Sequence, residues 1–269
     1  MKKISIVTWN VNSIRARMDN FIGWLEGAKP DIILLQETKC TDKDFPEEML
    51  SSMGYNSVYH GQKSYNGVAI LSKYKIELES KKLLENDEQA RYIEGLITID
   101  GKVLRVASVY VPQGGSDLEP GEKLEDSQRF KYKLDFFAQL NKRMQEVLAF
   151  DECVVFGGDL NVAHNDIDLH KPKAFKNKVG FHPLEKEQIQ GIIDLGYTDL
   201  FRKFYPEKQE YTWWDYRRGG WDGNRGWRID YMMANKNMQN IAKDCTIHRE
   251  TRATEKPSDH VPVEMIIEI

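Results

Sequence analysis

Several short stretches of this chain end a buried apolar run on a carboxylate, an amide, a phenol or an imidazole. Asn10 follows Ile4-Ser5-Ile6-Val7-Thr8-Trp9, with Asn12 close behind, and Glu37 follows Ile32-Ile33-Leu34-Leu35-Gln36. Tyr110 closes the run from Lys102, and Asp159 and Asn161 follow Cys153-Val154-Val155-Phe156. Asp230 lies in Arg228-Ile229-Asp230-Tyr231, and Asp259-His260 stands just before the last apolar run. Strand ends of this kind are where sites are usually built. The donors are hard oxygens: Glu37, Asp159, Asp230 and Asp259, with amides from Asn10 and Asn161. Such a set suits magnesium, which prefers oxygen and is held by one or two carboxylates together with a substrate phosphate. His260 can donate to a phosphate oxygen if a carboxylate keeps it protonated. The combination fits phosphoester hydrolysis, with metal and imidazolium stabilising charge at phosphorus while a carboxylate aligns water. A Ser-His-Asp order with a nucleophile elbow, a Walker glycine loop and an HExxH word are all absent from the sequence.

Each residue alone has an ordinary explanation. A strand-end Asp or Asn is more often a cap or turn former. His260 beside Asp259 could cap a loop, and Trp213, Trp214 and Trp227 would usually pack in a core.

The elements that must position these residues follow from periodicity. Ile4–Trp9 and Asp31–Gln36 read as buried strands around a helix from about Ile14 to Ala28, with Ser13 as its N-cap and Pro30 as its stop. That β-α-β opening favours a parallel pair. A short helix over Glu47–Met53 precedes strands near Tyr55–Tyr59, Gly67–Leu71 and Tyr92–Ile99. Asp100-Gly101 suits the positive φ of a type I′ turn and joins the last of these to Lys102–Tyr110. A polar loop from Pro112 to Asp126 leads to a long helix, Ser127–Leu148, and then to the strand Cys153–Phe156. A helix over Glu185–Leu195 and strands over Tyr211–Tyr216, Trp227–Ala234, Cys245–His248 and Val261–Ile269 complete the chain. With no low-complexity linker and no composition break, residues 1–269 read as a single domain of two packed sheets with helices outside.

Composition narrows the class further. The chain has 269 residues with 38 Lys and Arg against 42 Asp and Glu. Its 6 Trp, 12 Tyr and 11 Phe exclude a disordered chain. No apolar run approaches the roughly 20 residues that span a bilayer, and no signal-peptide core follows the basic N-terminus. The three cysteines, Cys40, Cys153 and Cys245, are far apart and lack a CxxC. They argue against disulfides and zinc and fit a reducing cytoplasm. The near-neutral total hides an asymmetry, because His170–Lys256 holds 17 basic against 12 acidic residues. That is either an unevenly charged solvated surface or a phosphate-binding face.

Six local words occur in order: Trp9-Asn10-Val11-Asn12; Leu35-Gln36-Glu37-Thr38-Lys39; Tyr110-Val111-Pro112-Gln113-Gly114; Gly158-Asp159-Leu160-Asn161-Val162-Ala163; Asn224-Arg225-Gly226-Trp227-Arg228-Ile229-Asp230-Tyr231; and Lys256-Pro257-Ser258-Asp259-His260-Val261-Pro262-Val263. Together they resemble the exonuclease III family of apurinic/apyrimidinic endonucleases, within the endonuclease/exonuclease/phosphatase superfamily. The resemblance runs from residue 4 to 267, with shorter echoes at Phe45-Pro46 and His60-Gly61-Gln62-Lys63. It implies an α/β fold, a four-layer αββα sandwich of two mixed sheets face to face with helices outside. It also implies Mg2+, with Mn2+ able to substitute, and a monomer acting on duplex DNA that carries abasic sites or damaged 3′ ends.

Carried over by position, the resemblance makes Glu37 the metal ligand with Asn10 beside it, and Asp259 a further carboxylate of the metal region. Asp159 aligns or deprotonates water, Asn161 and Tyr110 hold the scissile phosphate, and Asp159 and Asn161 border the metal. Asp230 pairs with His260, which contacts a phosphate oxygen. Trp213, Trp227 and Ile229 form the pocket for the baseless sugar. Such a sugar is small, and it is extruded most cheaply where no base is stacked. Gln113, Arg217, Arg218, Arg225 and the loop carrying Lys171, Lys173, Lys176 and Lys178 face the DNA, which gives the basic half a purpose. Asn12 stands where some members have Asp, which weakens a second metal position.

Two other readings share part of this pattern. A phosphodiesterase of the same superfamily acting on an inositol phosphate, a sphingolipid or an RNA tail would keep Glu37, Asp159 and His260 but not the Trp213/Trp227 pocket. A nucleic-acid-binding regulator that had lost its chemistry would lack one or more of the acidic residues, and none of those carried over is missing here.

Overall fold

The computed structural model describes residues 1–83, 86–115, 118, 121 and 123–269, with the Arg218 side chain outside the description. The polar loop expected over 112–126 falls partly outside it as well.

The chain runs β1 (Lys3–Asn10), α1 (Met18–Ala28), β2 (Ile32–Gln36), α2 (Glu47–Ser52), β3 (Asn56–His60), β4 (Val68–Ser72), β5 (Glu77–Ser80), β6 (Tyr92–Ile99) and β7 (Lys102–Tyr110). It continues α3 (Gln128–Val147), β8 (Cys153–Asp159), α4 (Pro172–Phe175), α5 (Pro183–Asp194), β9 (Thr198–Asp199), α6 (Leu200–Phe204), β10 (Trp213–Trp214) and β11 (Gly226–Trp227). It ends β12 (Asp230–Ala234), α7 (Lys236–Ile241), β13 (Ala242–Ile247) and β14 (Val263–Glu268). One six-stranded sheet has the order β13-β14-β1-β2-β4-β3 and the other β5-β6-β7-β8-β12-β9. Each contains one parallel pair near its middle, β1 with β2 and β7 with β8, and otherwise antiparallel pairs. A parallel pair needs a crossover, and α1 and α3 lie in the two connections.

Alternation along the strands makes the layers. Ile4 and Ile6 of β1, Ile32 and Leu34 of β2 and Val68 and Ile70 of β4 pack against Ile97, Leu104, Val106, Val155 and Met232 of the other sheet. The intervening Val7, Ile33, Leu35 and Leu71 turn outward under Phe21 and Leu25 of α1 and Leu50 of α2. On the far side, Val109, Val154 and Phe156 pack under Phe136, Phe137 and Leu140 of α3 and Ile189 and Ile192 of α5. The four-layer αββα sandwich is therefore what period-two strands buried on both faces require.

Several element boundaries differ from the periodicity. The first helix begins at Met18, because Ser13 adopts φ +82° and its hydroxyl caps only the Ala16 amide. The run Trp227–Ala234 breaks into β11 and β12, since the Thr212 hydroxyl takes the Ile229 and Asp230 amides away from the ladder. Only Trp213–Trp214 of the expected strand Tyr211–Tyr216 pairs, with Gly226–Trp227. The last strand starts at Val263 because Val261 donates to Thr212 and Pro262 has no N–H. The Asp100-Gly101 turn has the expected positive φ at both residues, +49° and +80°.

Candidate active site

The two parallel pairs end side by side, so their carboxyl ends bring the polar residues together. In register, Asn10 pairs with Gln36, Tyr110 with Asp159, and Asp159 with Asp230. Glu37, one residue past β2, is left-handed at φ +51°, as is Asn161 at +53°. Non-glycine residues are held in that region only when their surroundings over-determine it. Here the Ser13 amide donates to the Glu37 carbonyl at 2.7 Å, while the Thr38 and Lys39 amides donate to Gly67 and Asn66.

Asn10 sits at the centre. Its Nδ2 donates to Glu37 Oε1 at 2.9 Å and to Asp159 Oδ2 at 3.0 Å, while its Oδ1 accepts the Asn12 amide. Tyr110 donates its hydroxyl to Glu37 Oε1 at 2.8 Å. Burial tends to raise the Glu37 carboxyl, but Lys39, 2.7 Å from Oε2, and the Asn10 bond outweigh it, so Glu37 is held below its ordinary value. Asp159 is fully buried, accepts the Asn161 amide at 2.9 Å and lies 3.6 Å from His260 Nε2. Burial raises its carboxyl to about 7, supported by the nearby Asp230 and Glu37 charges and opposed by His260. His260 Nδ1 faces Asp230 Oδ2 at 2.9 Å. Burial disfavours the imidazolium, yet Asp230 and Asp159 prevail and raise His260 to about 10. Ser258 fixes the segment by accepting the His260 amide and donating to the Asn10 carbonyl, and Trp9 donates to the His260 carbonyl.

Beside this polar centre stands an apolar wall. Trp213 and Trp227 are half-buried and meet edge to face at 6.4 Å, and Phe175 lies 4.8 Å from Trp227. Ile229 is buried among them with Ala163, Leu169 and Phe181. Polar centre and wall line one cleft of about 1010 Å³. Glu37, Asp159 and His260 offer ligand atoms that all lie within 4.8 Å of one another. In this group the carboxylates of Glu37 and Asp159 are hard oxygen donors, which suit a hard divalent ion.

Residues 7–260 match the Endonuclease/Exonuclease/phosphatase family. The chain belongs to that family. It is 34% identical to an exodeoxyribonuclease of Bacillus subtilis (strain 168), covering 99% of this chain and 100% of that one. Among solved structures it resembles an AP endonuclease from Archaeoglobus fulgidus, with TM-score 0.89, 36% identity and coverage of 99% of this chain and 100% of that one. It also resembles the 3′ phosphatase NExo from Neisseria bound to a product DNA hairpin, with TM-score 0.90, 34% identity and coverage of 99% and 100%. Two six-stranded sheets with helices around them are the sandwich of this family.

Within this family frame, Glu37, Tyr110, Asp159, Asn161 and His260 share the cleft with Gln113, Trp213, Trp227, Ile229, Asp259 and Arg217. Asn10 and Asp230 lie buried beneath it, bonded to those residues. Asp259 stands outside the Glu37–Asp159–His260 group and accepts from Asn12 at 2.8 Å and from the Trp213 indole at 2.9 Å. The Asn161 side chain donates to the Val111 carbonyl. Lys176 and Arg225 do not line the cleft, whereas Asn177, Lys178 and Tyr216 do. Sequence reasoning gave Lys39 no role, though its ammonium bridges Glu37 and Asn12 Oδ1, each at 2.7 Å. Its place two residues after Glu37 was the available signal.

Proposed function

We propose that this nuclease hydrolyses the phosphodiester 5′ to an abasic site in duplex DNA, using Mg2+ or Mn2+, and trims damaged 3′ ends in the same cleft. Its relatives are named exodeoxyribonuclease and AP endonuclease over their full length, which makes the chain a hydrolytic nuclease. The observation that carries the abasic reading is the wall of Trp213, Trp227, Phe175 and Ile229 directly beside Asp159 and His260. A baseless sugar leaves the stack at little cost, and indole faces admit it while a base-bearing nucleotide is too large.

The chemistry follows from the charges. Asp159, poised near neutral pH, accepts a proton from the attacking water, and the Asn161 and Asn10 amides orient its two oxygens. His260, kept cationic and aimed by Asp230, supplies positive charge where it builds up on the phosphoryl oxygens. Tyr110 and Asn161 hold the scissile phosphate, and Gln113, Arg217 and Lys178 contact the flanking strand. Glu37 would hold the metal, with Asn10, Asp159, Asn161 and Asp259 shaping its surroundings. When bound, the metal supplies a Lewis acid at the phosphate.

Among the described residues no helix is long and apolar enough to cross a membrane. We propose that the protein acts in the cytoplasm, a reading supported by its three buried free thiols, and that it acts as a monomer.

A fluorescent duplex carrying one abasic analogue, assayed with and without chelator beside an intact duplex, tests this reading. Cleavage at the analogue that needs Mg2+ or Mn2+ is expected. Equal cutting of the intact duplex, or full activity in excess chelator, would overturn it.

A further inference from the structure

Lys133 interrupts the apolar stripe of α3. It shares the buried face with Phe130, Phe136 and Phe137 and is itself completely buried. Burial pushes its ammonium below the ordinary lysine range, and Glu185, equally buried, opposes that. Holding such a pair out of water is costly, and an apolar pair often serves stability as well or better. What the charge accomplishes is visible in its acceptors.

An ammonium has three donors, and Lys133 Nζ meets three oxygens: Glu185 Oε1 at 2.5 Å, the Asn161 carbonyl at 2.8 Å and the Gln113 carbonyl at 3.2 Å. Gln113 and Asn161 belong to different loops, one leaving β7 and the other leaving β8. Gly114, at φ +73°, lies against the lysine stem so closely that a Cβ there would come within 2.7 Å of Lys133 Cδ. Glu185 is fixed in turn, since its Oε2 accepts the His182 amide at the start of α5. Asn161 is in the left-handed region, and its amide caps Asp159.

We propose that Lys133 is a positioning residue for the nuclease centre, its ammonium clamping the Gln113 and Asn161 loops onto α3 and α5 and thereby aiming Asn161 and Asp159. This rests on the nuclease reading above. The clamp acts on Asn161 and Asp159, which serve the chemical step, and on Gln113, which contacts the flanking strand, so its loss falls mainly on turnover and less on binding.

The test separates alignment from stability. Lys133→Met/Glu185→Leu removes both charges together, so no unpaired ion is left in the core. A folded protein with a modestly lowered melting temperature is expected, because the His182 amide and the Gln113 and Asn161 carbonyls lose partners, with KM for the abasic duplex changed much less than the single-turnover rate, which falls by about 10-fold or more. Lys133→Met/Glu185→Gln carries the same expectation and gives a second folded sample. A wild-type single-turnover rate in either folded double variant overturns the proposal, as does a loss confined to KM. Wild type is assayed in parallel: failure of wild type to cut the abasic duplex overturns the nuclease reading, whereas equal cutting by wild type and variant overturns the clamp alone.

Discussion

His260 is a buried cation set between two carboxylates, Asp230 at 2.9 Å and Asp159 at 3.6 Å. Its charge therefore depends on Asp230, and the two residues act as one unit. His260→Asn keeps a donor and loses the charge, so turnover should fall by about 10²-fold or more. Asp230→Asn should cost a similar amount, and the double mutant should be far less than additive. Single-turnover cleavage and melting temperature measured on the same samples check this. If the pair merely tied the last strand to its neighbour, melting would drop and turnover per folded molecule would stay near wild type. Trp227 invites a parallel experiment. It packs against Phe175 and Trp213, but it also faces the cleft. Trp227→Ala should impair abasic cleavage more than binding to intact duplex, because the phosphate contacts remain. Equal losses in both would make it a core residue only.

At the scale of elements, the break between β11 and β12 matters because it turns Ile229 into the wall and sends Arg228 the other way. Arg228 is fully buried and pairs with Asp168 at 2.8 Å and Asp199 at 2.7 Å, and Arg202 reaches the same Asp168 oxygen at 2.5 Å. Burial alone would raise the Asp168 carboxyl, but Arg228 and Arg202 outweigh it and hold it at about 2. An unfolded Asp titrates near 3.9. The folded value is the lower one, so the stabilisation from Asp168 is complete above about pH 4 and is lost as pH falls through about 2. Melting temperature followed from pH 5 to pH 2 should show this loss. Asp168→Asn should flatten that limb and, by leaving Arg228 with Asp199 but without its Asp168 partner, cost about 1–3 kcal/mol at neutral pH. An unchanged acid limb in the variant would show that other carboxylates set it.

For the whole molecule, the central cluster draws on both sheets, from Ile4 and Leu34 on one side to Val106 and Met232 on the other. Neither sheet could keep its inner face dry alone. We therefore propose that residues 1–269 unfold as one cooperative unit, so that far-ultraviolet circular dichroism and tryptophan fluorescence give coincident thermal transitions. Two separated transitions would divide the chain into independent domains. The basic excess of His170–Lys256 is a property of this same scale. It places Lys178 and Arg217 at the cleft but leaves Lys176 and Arg225 off its lining.

The alternation of apolar residues determined most strands of both sheets, because a strand buried on one or both faces shows that requirement locally, whereas the edge strands β5, largely exposed, and β9, two residues long, carry no such signal. The six words around Asn10, Glu37, Tyr110, Asp159, Asp230 and His260 carried the resemblance to a nuclease family, because their order and spacing are specific where a single strand-end carboxylate or imidazole is not. Lys133 was readable in part, as a charge on an otherwise apolar helix face. Its partners were not, because Gln113, Asn161 and Glu185 come from three other segments. The same holds for Lys39 with Asn12, for the hydroxyl of Thr212 that interrupts a continuous apolar run, and for which lysines and arginines reach the cleft. Those outcomes depend on hydrogen bonds and ion pairs between segments far apart in the chain, and only the packing of the two sheets decides which of them meet.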